Sequence, residues 1–410
     1  MQTLWECRYA LRMKNMTSSA IRELLKITGQ PGVISFGGGY PAPEVFPVDA
    51  FSQACAKVLN DPILAPQALQ YGPSEGYLPL REMIAEKANK NGIQITADNV
   101  LITSGSQQAL DLIGKVFINP GDHILVESPT YLGALQAWNA YNAEYITVPS
   151  DEEGIMIDHL EEALRRGPKF MYLLPNFQNP TGVTMPLERR KAIVELADRY
   201  GVPIVEDDPY GQLRYEGESL PTISELDDII RREQNNPNTG NAIYLSTFSK
   251  TLAPGMRLAW VIAPVSVINR MVQAKQGMDL HTSTFNQYIS YEVASGGFLE
   301  QHIELIRKVY RERRDAMLES LEEHMPKGVK WTHPQGGLFL WITAPESIDT
   351  TEIFKAAVEE KVAFVPGSAF YPYGGGKNTM RLNFSCEKPE VINEGISRLA
   401  RVLHKELNKA

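Results

Sequence analysis

Residues 99–128 read NVLITSGSQQALDLIGKVFINPGDHILVES. A short β-prone run, NVLIT (99–103), gives way to a turn of small residues. SQQALDLIGKVF (106–117) then repeats Ala109, Ile113 and Val116 at helical spacing, and a second short apolar run, HILVES (123–128), follows. Strand, helix, strand is the unit of a mostly parallel sheet, because parallel neighbours need a long crossover and a helix supplies it. The alternation extends from about residue 98 to residue 290, with further strands predicted at EYITVP (144–149), FMYLLP (170–175), PIVEDD (203–208), AIYLSTF (242–248) and LAWVIAP (258–264). Apolar on both faces, these seven runs suit a sheet covered by helices rather than an open hairpin sheet. Between them LERRKAIVELADRYG (187–201) is predicted as a helix that stops at Gly201. Sheets of this kind take ligands beyond the carboxyl ends of their strands, and the chemically interesting residues fall there.

Beyond about residue 290 the pattern changes to a long helix (298–325), WTHPQGGLFLWI (331–342) and RLNFS (381–385) as strands, and a closing helix (390–407). Dividing the 410 residues by roughly 150 per domain gives two or three domains. The expected division is a large α/β domain over 46–290, three-layered around a seven-stranded, mostly parallel sheet, and a smaller α+β domain over 291–410. An N-terminal segment, 1–45, would join the small domain and cover the active site. RREQNNPNTGN (231–241) reads as a solvated loop. No internal repeat at a period of about 20–50 residues suggests a solenoid or propeller.

Composition narrows the partners. Forty Lys plus Arg against 49 Asp plus Glu leave a net charge of −9, which argues against nucleic acid or an anionic membrane surface, since both need clustered cations around phosphate. Small molecules are the expected partners. Three cysteines, Cys7, Cys55 and Cys386, offer neither a disulfide framework nor a metal site, so a reducing compartment is expected. MQTLWECRYALRMK (1–14) mixes charges into every turn without an apolar leader core, and no run approaches the roughly 20 apolar residues of a membrane span. The expected location is the cytoplasm.

Four segments at predicted strand ends carry chemistry. STFSKTLAPGMRLAW (246–260) sets Lys250 after a strand rich in small hydroxyl residues, with Arg257 seven positions on. Such a lysine is either an exposed surface amine or, desolvated beside an arginine, an amine of lowered pKa able to form a Schiff base with an aldehyde cofactor. VEDDPYG (205–211) ends a strand in carboxylates, with Tyr210 three residues past Asp207. Those acids either cap the next helix or serve pyridoxal phosphate. In the second case Asp207 keeps the pyridine nitrogen protonated, so that the ring becomes an electron sink, and Tyr210 donates to the phenolic oxygen. NFQNPTGVTMP (176–186) reads by itself as a turn entering a helix. TSGSQQAL (103–110) offers helix N-terminal N–H groups and the Ser106 hydroxyl to a phosphate, or simply an N-cap serine.

Taken together, and in this order, the chain resembles the class I/II aminotransferases of fold type I, with the aspartate aminotransferase architecture, and within them the 2-aminoadipate and kynurenine/aminoadipate group. The resemblance runs from SSAIRELLKITGQPGVISFGGGYPAPEVFP (18–47) through LQYGPSEGYLPLR (69–81), PNFQNPTG (175–182), VEDDPY (205–210), FSKTLAPGMRLAW (248–260) and AKQGMDLHT (274–282) to QGGLFLW (335–341), VAFVPGSAF (362–370) and GGGKNTMRLNFS (374–385). It implies pyridoxal 5'-phosphate bound covalently by Lys250, which then shuttles the substrate's α-proton. Asp207 would pair with the pyridine nitrogen, Asn179 and Tyr210 with the phenolic oxygen, and Tyr131 in SPTYLG would stack on the ring. Ser106, Gln107 through its backbone N–H, Thr247, Ser249 and Arg257 would hold the phosphate. Tyr71 in QYGPSEG would reach the phosphate of a neighbouring subunit, making a homodimer with composite sites.

For the substrate, Arg381 in MRLNFS would grip the α-carboxylate as a bidentate fork, a task that suits guanidinium and not lysine. Gly39 would offer backbone to the same group, and Ser19 and Arg22 would lie on a helix covering the pocket, with Arg22 reading a distal carboxylate. The chain departs from the group at Tyr40, where leucine is commoner and which flanks the side-chain pocket, and at Pro209, where alanine is usual. The expected reaction is transfer of an amino group from an L-amino acid (2-aminoadipate, aromatic or branched/aliphatic) to a 2-oxo acid such as 2-oxoglutarate, in a ping-pong cycle. Two alternatives share the fold: a lyase or decarboxylase using the same cofactor, and an aminotransferase-like domain of a transcription regulator, which would need a basic DNA-binding segment.

Overall fold

A computed structural model describes residues 4–14, 16, 31–233 and 240–409. Its strands, in chain order, are β1 (Ile34–Ser35), β2 (Val100–Thr103), β3 (His123–Ser128), β4 (Glu144–Asp151), β5 (Gly154–Ile155), β6 (Met171–Leu173), β7 (Ile204–Asp207), β8 (Ala242–Thr247), β9 (Ala259–Ile262), β10 (Lys330–Trp331), β11 (Phe339–Thr343), β12 (Val362–Ala363), β13 (Val365–Pro366) and β14 (Thr379–Asn383). The large sheet runs in the order β2-β9-β8-β7-β6-β3-β4-β5. All seven predicted strands are in it, and a two-residue ribbon, β5, adds an eighth by folding back antiparallel on β4. Strands β3, β4, β6, β7 and β8 are mutually parallel, whereas β9 runs antiparallel to both β2 and β8. The carboxyl ends of β2, β3, β6, β7 and β8 therefore share one edge of the sheet.

Local chemistry explains the crossovers. Helix Ser106–Phe117 follows Gly105, whose φ of 86° no β-carbon would tolerate cheaply, and it buries Ala109, Leu110, Leu112 and Ile113 on the sheet. Helix Leu187–Tyr200 ends as predicted at Gly201, left-handed at φ 64° with its N–H on the carbonyls of Ala197 and Asp198. Trp138, on helix Leu132–Asn139, is wholly buried, donates its indole N–H to the Leu110 carbonyl (2.9 Å) and stands edge-on to Phe170 and Tyr172 at 5.2 and 5.1 Å. It thereby fixes the ring of Tyr172, whose hydroxyl turns up in the site below.

A second, antiparallel sheet, β10-β11-β14-β13, packs with helices Phe298–His324, Thr350–Glu359 and Pro389–Leu407, while β1 pairs in parallel with β12. WTHPQGGLFLWI is a hairpin rather than one strand: Pro334 has no N–H to give a ladder and Gly337 sits at φ 73°, so the chain turns between β10 and β11. That turn is stitched to the larger part of the molecule, with Tyr215 N–H on the Gln335 carbonyl (2.8 Å), Gly337 N–H on the Leu213 carbonyl (2.9 Å) and the Thr332 hydroxyl on the Thr181 carbonyl (2.7 Å). At the far side the Tyr373 hydroxyl accepts the Tyr145 N–H (2.7 Å) and donates to the Tyr145 carbonyl (3.1 Å), along the outer side of β4.

The expected loop at 231–241 is corrected in part. Residues 231–233 close helix Ile223–Glu233, and Arg231 is buried between Asp198 and Asp227 because its charge is neutralised there; residues 234–239 lie outside the described residues.

Candidate active site

Three acids end β7, and each does something different. Glu206 accepts the N–H groups of Ile223 (2.9 Å) and Ser224 (2.8 Å), capping the next helix; burial, with Asp208 adding to it, pushes its carboxyl up to about 8. Asp208 accepts the Gly211 N–H (2.8 Å) and the Tyr244 hydroxyl (3.0 Å) and so pins the turn that carries Tyr210. Asp207 faces the sheet edge. It is 2% exposed, its Oδ2 accepts the Tyr172 hydroxyl at 2.7 Å, and its Oδ1 has no partner among the described residues. Burial raises its carboxyl to about 7 against the pull of Tyr172. A buried carboxylate oxygen without a donor is costly unless a cationic group completes it.

Lys250 lies in the turn between β8 and β9. It is part-buried, but its ammonium is enclosed, donates to the Gly39 carbonyl at 2.7 Å, and is lowered to about 8 by desolvation first and then by Arg381 and Arg257. Neutral amine is therefore available near physiological pH, as a nucleophile requires.

Arg381, mid-strand in β14 and only 1% exposed, donates to Asn179 Oδ1 (2.7 Å) and to the Gly37 carbonyl (2.8 Å), and its Nε has no partner among the described residues. The guanidinium lies over the rings of Phe339 (4.1 Å) and Phe370 (5.1 Å), and burial draws it down to about 10. Among the described residues no carboxylate comes within ion-pair distance of it. Asn179 in turn hydrogen-bonds the Tyr210 hydroxyl, and Tyr210 stands edge-on to Phe339 at 5.8 Å. Arg381, Asn179 and Tyr210 thus form one connected line. Tyr131 caps helix Leu132–Asn139 close by, its hydroxyl raised by burial and by Asp207.

The phosphate-type cradle is at the β2 end. Gly105 has no side chain where Arg257 crosses: a β-carbon there would overlap the guanidinium. Ser106, first residue of its helix, keeps a buried Oγ without a partner among the described residues. The side chain of Gln107 is engaged with the Gly133 carbonyl (2.8 Å), which leaves its backbone N–H for an anion. Thr247 Oγ1 donates to the Leu258 carbonyl (2.9 Å), lies 2.9 Å from Ser249 Oγ and accepts the Ser249 N–H (3.0 Å), so the two hydroxyls are fixed as a pair. Arg257 is itself exposed and left-handed at φ 52°.

Tyr71 stands apart from this group, 79% exposed and edge-on to His281 at 5.7 Å. Tyr40 is 54% exposed beside the glycines 37–39. Ser19 and Arg22 lie outside the described residues. The reading of the sequence missed Tyr172, Gly37 and Phe339. Tyr172 had one signal, a lone polar aromatic in the apolar run FMYLLP. The other two had none, because their roles depend on which strand lies beside which.

Along one sheet edge, a buried carboxylate oxygen unpaired among the described residues at the end of β7, an anion cradle at the end of β2 and an amine of lowered basicity between sheet and glycine loop define an enzyme of the pyridoxal-phosphate class, and the residues present fit that cofactor. The chain belongs to the aminotransferase class I and II family, whose model matches residues 47–399. It is 48% identical to the aromatic-amino-acid aminotransferase 1 of Thermococcus litoralis over 99% of this chain and 96% of that one. With the 2-aminoadipate transaminase of Thermus thermophilus it shares 44% identity over 97% of each. The crystal structure of LysN, the α-aminoadipate aminotransferase of Thermus thermophilus complexed with N-(5'-phosphopyridoxyl)-L-leucine, superposes at a TM-score of 0.91, with 42% identity and full coverage of both chains. The protein is a transaminase acting on amino acids and 2-oxo acids, its cofactor is pyridoxal 5'-phosphate, and its fold is that of the fold-type-I enzymes.

Proposed function

We propose that this transaminase takes amino donors whose side chains range from the acidic 2-aminoadipate to aromatic and branched or aliphatic groups, and passes the amine to 2-oxoglutarate or a similar 2-oxo acid by a ping-pong cycle. The observation that carries the reading is Arg381: a guanidinium shut away from water with no carboxylate among the described residues. Such a group needs an anion, and the planar fork matches the carboxylate common to every α-amino acid. The names of the relatives, one aromatic and two aminoadipate, support a broad side-chain range.

When bound, pyridoxal phosphate supplies an electron sink for negative charge at the substrate α-carbon. Ser106, Gln107, Thr247, Ser249 and Arg257 would hold its phosphate, Asp207 its pyridine nitrogen, Asn179 and Tyr210 its phenolic oxygen, and Tyr131 its ring face. Arg381 and the backbone at Gly39 orient the substrate carboxylate, which fixes the α-carbon against Lys250. The Lys250 amine takes the α-proton and returns it as general acid, a role its lowered basicity suits. Arg22, with Ser19, would read a distal carboxylate, and Tyr40 would shape the side-chain pocket. Tyr71 would complete a neighbouring subunit's phosphate site in a homodimer; its exposure supports that reading. We read residues 46–290 as the large domain, 291–410 as the small one and 1–45 as the segment joining them over the site. A cytoplasmic setting rests on the three widely spaced cysteines.

The test is the visible spectrum of the purified protein with single amino acids and no acceptor. The expected result is a yellow band that bleaches with 2-aminoadipate and with aromatic and branched donors, and returns on adding 2-oxoglutarate. A band that bleaches with one side-chain class alone would overturn the broad range.

A further inference from the structure

Behind the phosphate cradle lies a polar cluster that touches none of the proposed cofactor ligands directly except through one residue, Ser104. Lys275, near the end of helix Val265–Gln276, has a wholly buried side chain. Its ammonium donates to Asp279 Oδ1 (2.8 Å) and Oδ2 (3.0 Å) and to Gln108 Oε1 (2.8 Å). The same Gln108 oxygen accepts the Ser104 N–H (2.7 Å), while Gln108 Nε2 donates to Asp279 Oδ2 (2.7 Å). Ser104 Oγ donates to Asp279 Oδ2 (3.1 Å) and lies 3.2 Å from the Thr282 hydroxyl, and the Ser104 carbonyl accepts from Arg257 Nη2 (3.5 Å). Every polar atom of Ser104 is thus engaged. Ser104 is the residue from which the chain enters Gly105 at φ 86°, so its peptide plane sets where the N–H groups of Ser106 and Gln107 point.

The same segment continues to the edge of the molecule. His281 N–H donates to the Asp279 carbonyl (2.7 Å), and His281 Nε2 accepts the Gly72 N–H (3.3 Å) with the Tyr71 ring edge-on to the imidazole. Residues 275–281 therefore bridge the phosphate turn and the Tyr71 loop.

We propose that Lys275 is a positioning residue for the cofactor phosphate: through Gln108 and Asp279 it locks Ser104, and with it the Gly105 turn, and through His281 the same bracket ties that turn to the Tyr71 loop. A buried ammonium is a demanding group to keep. This one fixes the orientation of the Gln108 amide, because only with Oε1 toward Lys275 can the amide accept from Ser104 and donate to Asp279 together. The inference rests on the phosphate site proposed above.

The experiment compares Lys275→Met, which keeps the volume and removes the donors, with wild type and Arg257→Ala. Apo-protein is titrated with pyridoxal phosphate and, separately, with inorganic phosphate as a stabiliser against heat. Expected for Lys275→Met is about tenfold weaker affinity for both, kcat within about twofold at saturating cofactor, and a smaller effect of Tyr71→Phe in that background than in wild type. Unchanged affinity with a lower Tm would overturn the proposal and leave Lys275 a packing residue. If Arg257→Ala also binds both ligands as wild type does, the phosphate site itself is misassigned; weakened Arg257→Ala beside an unaffected Lys275→Met sinks only the bracket. Should Lys275→Met not fold, Ser104→Ala takes its place. It removes one bond to Asp279 and is expected to weaken both ligands about threefold, and unaltered binding there overturns the proposal as well.

Discussion

Among the described residues Arg381 is surrounded by two aromatic faces, an amide and a carbonyl, and no anion, and those surroundings are the ground for assigning it the substrate carboxylate. Arg381→Lys keeps the charge and loses the fork, so kcat/KM is expected to fall on the order of 100-fold for every donor, since each uses its carboxylate; a loss confined to acidic donors would contradict the assignment. Lys250→Ala is expected to fold normally by circular dichroism and to lose at least about 10³-fold in turnover. Asp207 gives a prediction of opposite sign for stability and function. Its folded-state carboxyl is raised to about 7, so between the ordinary carboxylate range and pH 7 the native protein binds more protons than the unfolded chain, and this group's contribution weakens as pH climbs through that window. Asp207→Asn removes the titration: apo-protein is expected to melt higher than wild type at pH 8, the gap closing toward pH 5, while affinity for pyridoxal phosphate drops. Lys250, Asp207, Asn179, Tyr210 and Arg381 could be singled out as candidates from the sequence because each sits in a segment of distinctive composition, the first four at or beyond the carboxyl end of a strand and Arg381 within β14. Tyr172 was not, since nothing within FMYLLP says that β6 will lie beside β7.

Among the elements, the turn between β2 and helix Ser106–Phe117 carries the most consequence per residue. Gly105→Ala would strain a left-handed backbone and push against Arg257, so cofactor affinity is expected to fall roughly tenfold or more with little change in circular dichroism; equilibrium titration of apo-protein decides it. The crossover elements were readable because period and composition agree: apolar strands buried on both faces, helices with one apolar stripe, and a glycine where helix Leu187–Tyr200 stops. Strand direction was another matter. That β9 runs against its neighbours follows from the short connection after β8, which is too brief for a crossover. The hairpin inside WTHPQGGLFLWI was hidden by an apolar run that overrode the Pro and Gly in front of it.

The whole molecule is expected to work as a pair, and mixing tests it. Lys250→Ala and Tyr71→Ala homodimers, each impaired, would regain activity on subunit exchange, because one site of each hybrid then holds an intact Lys250 and a partner's intact Tyr71. No gain above the sum of the parents would deny composite sites. Among the described residues no helix is long and apolar enough to cross a membrane. At this scale too the Tyr373 hydroxyl takes on a second meaning. By occupying both main-chain groups of Tyr145 on the outer side of β4, it occupies a place where another chain's strand could add on. Replacing it with phenylalanine is expected to leave catalysis untouched and to show itself only as faster clouding in a heated, concentrated solution, so that a residue on the outer side of the sheet helps decide how long the enzyme survives in a crowd of its own copies.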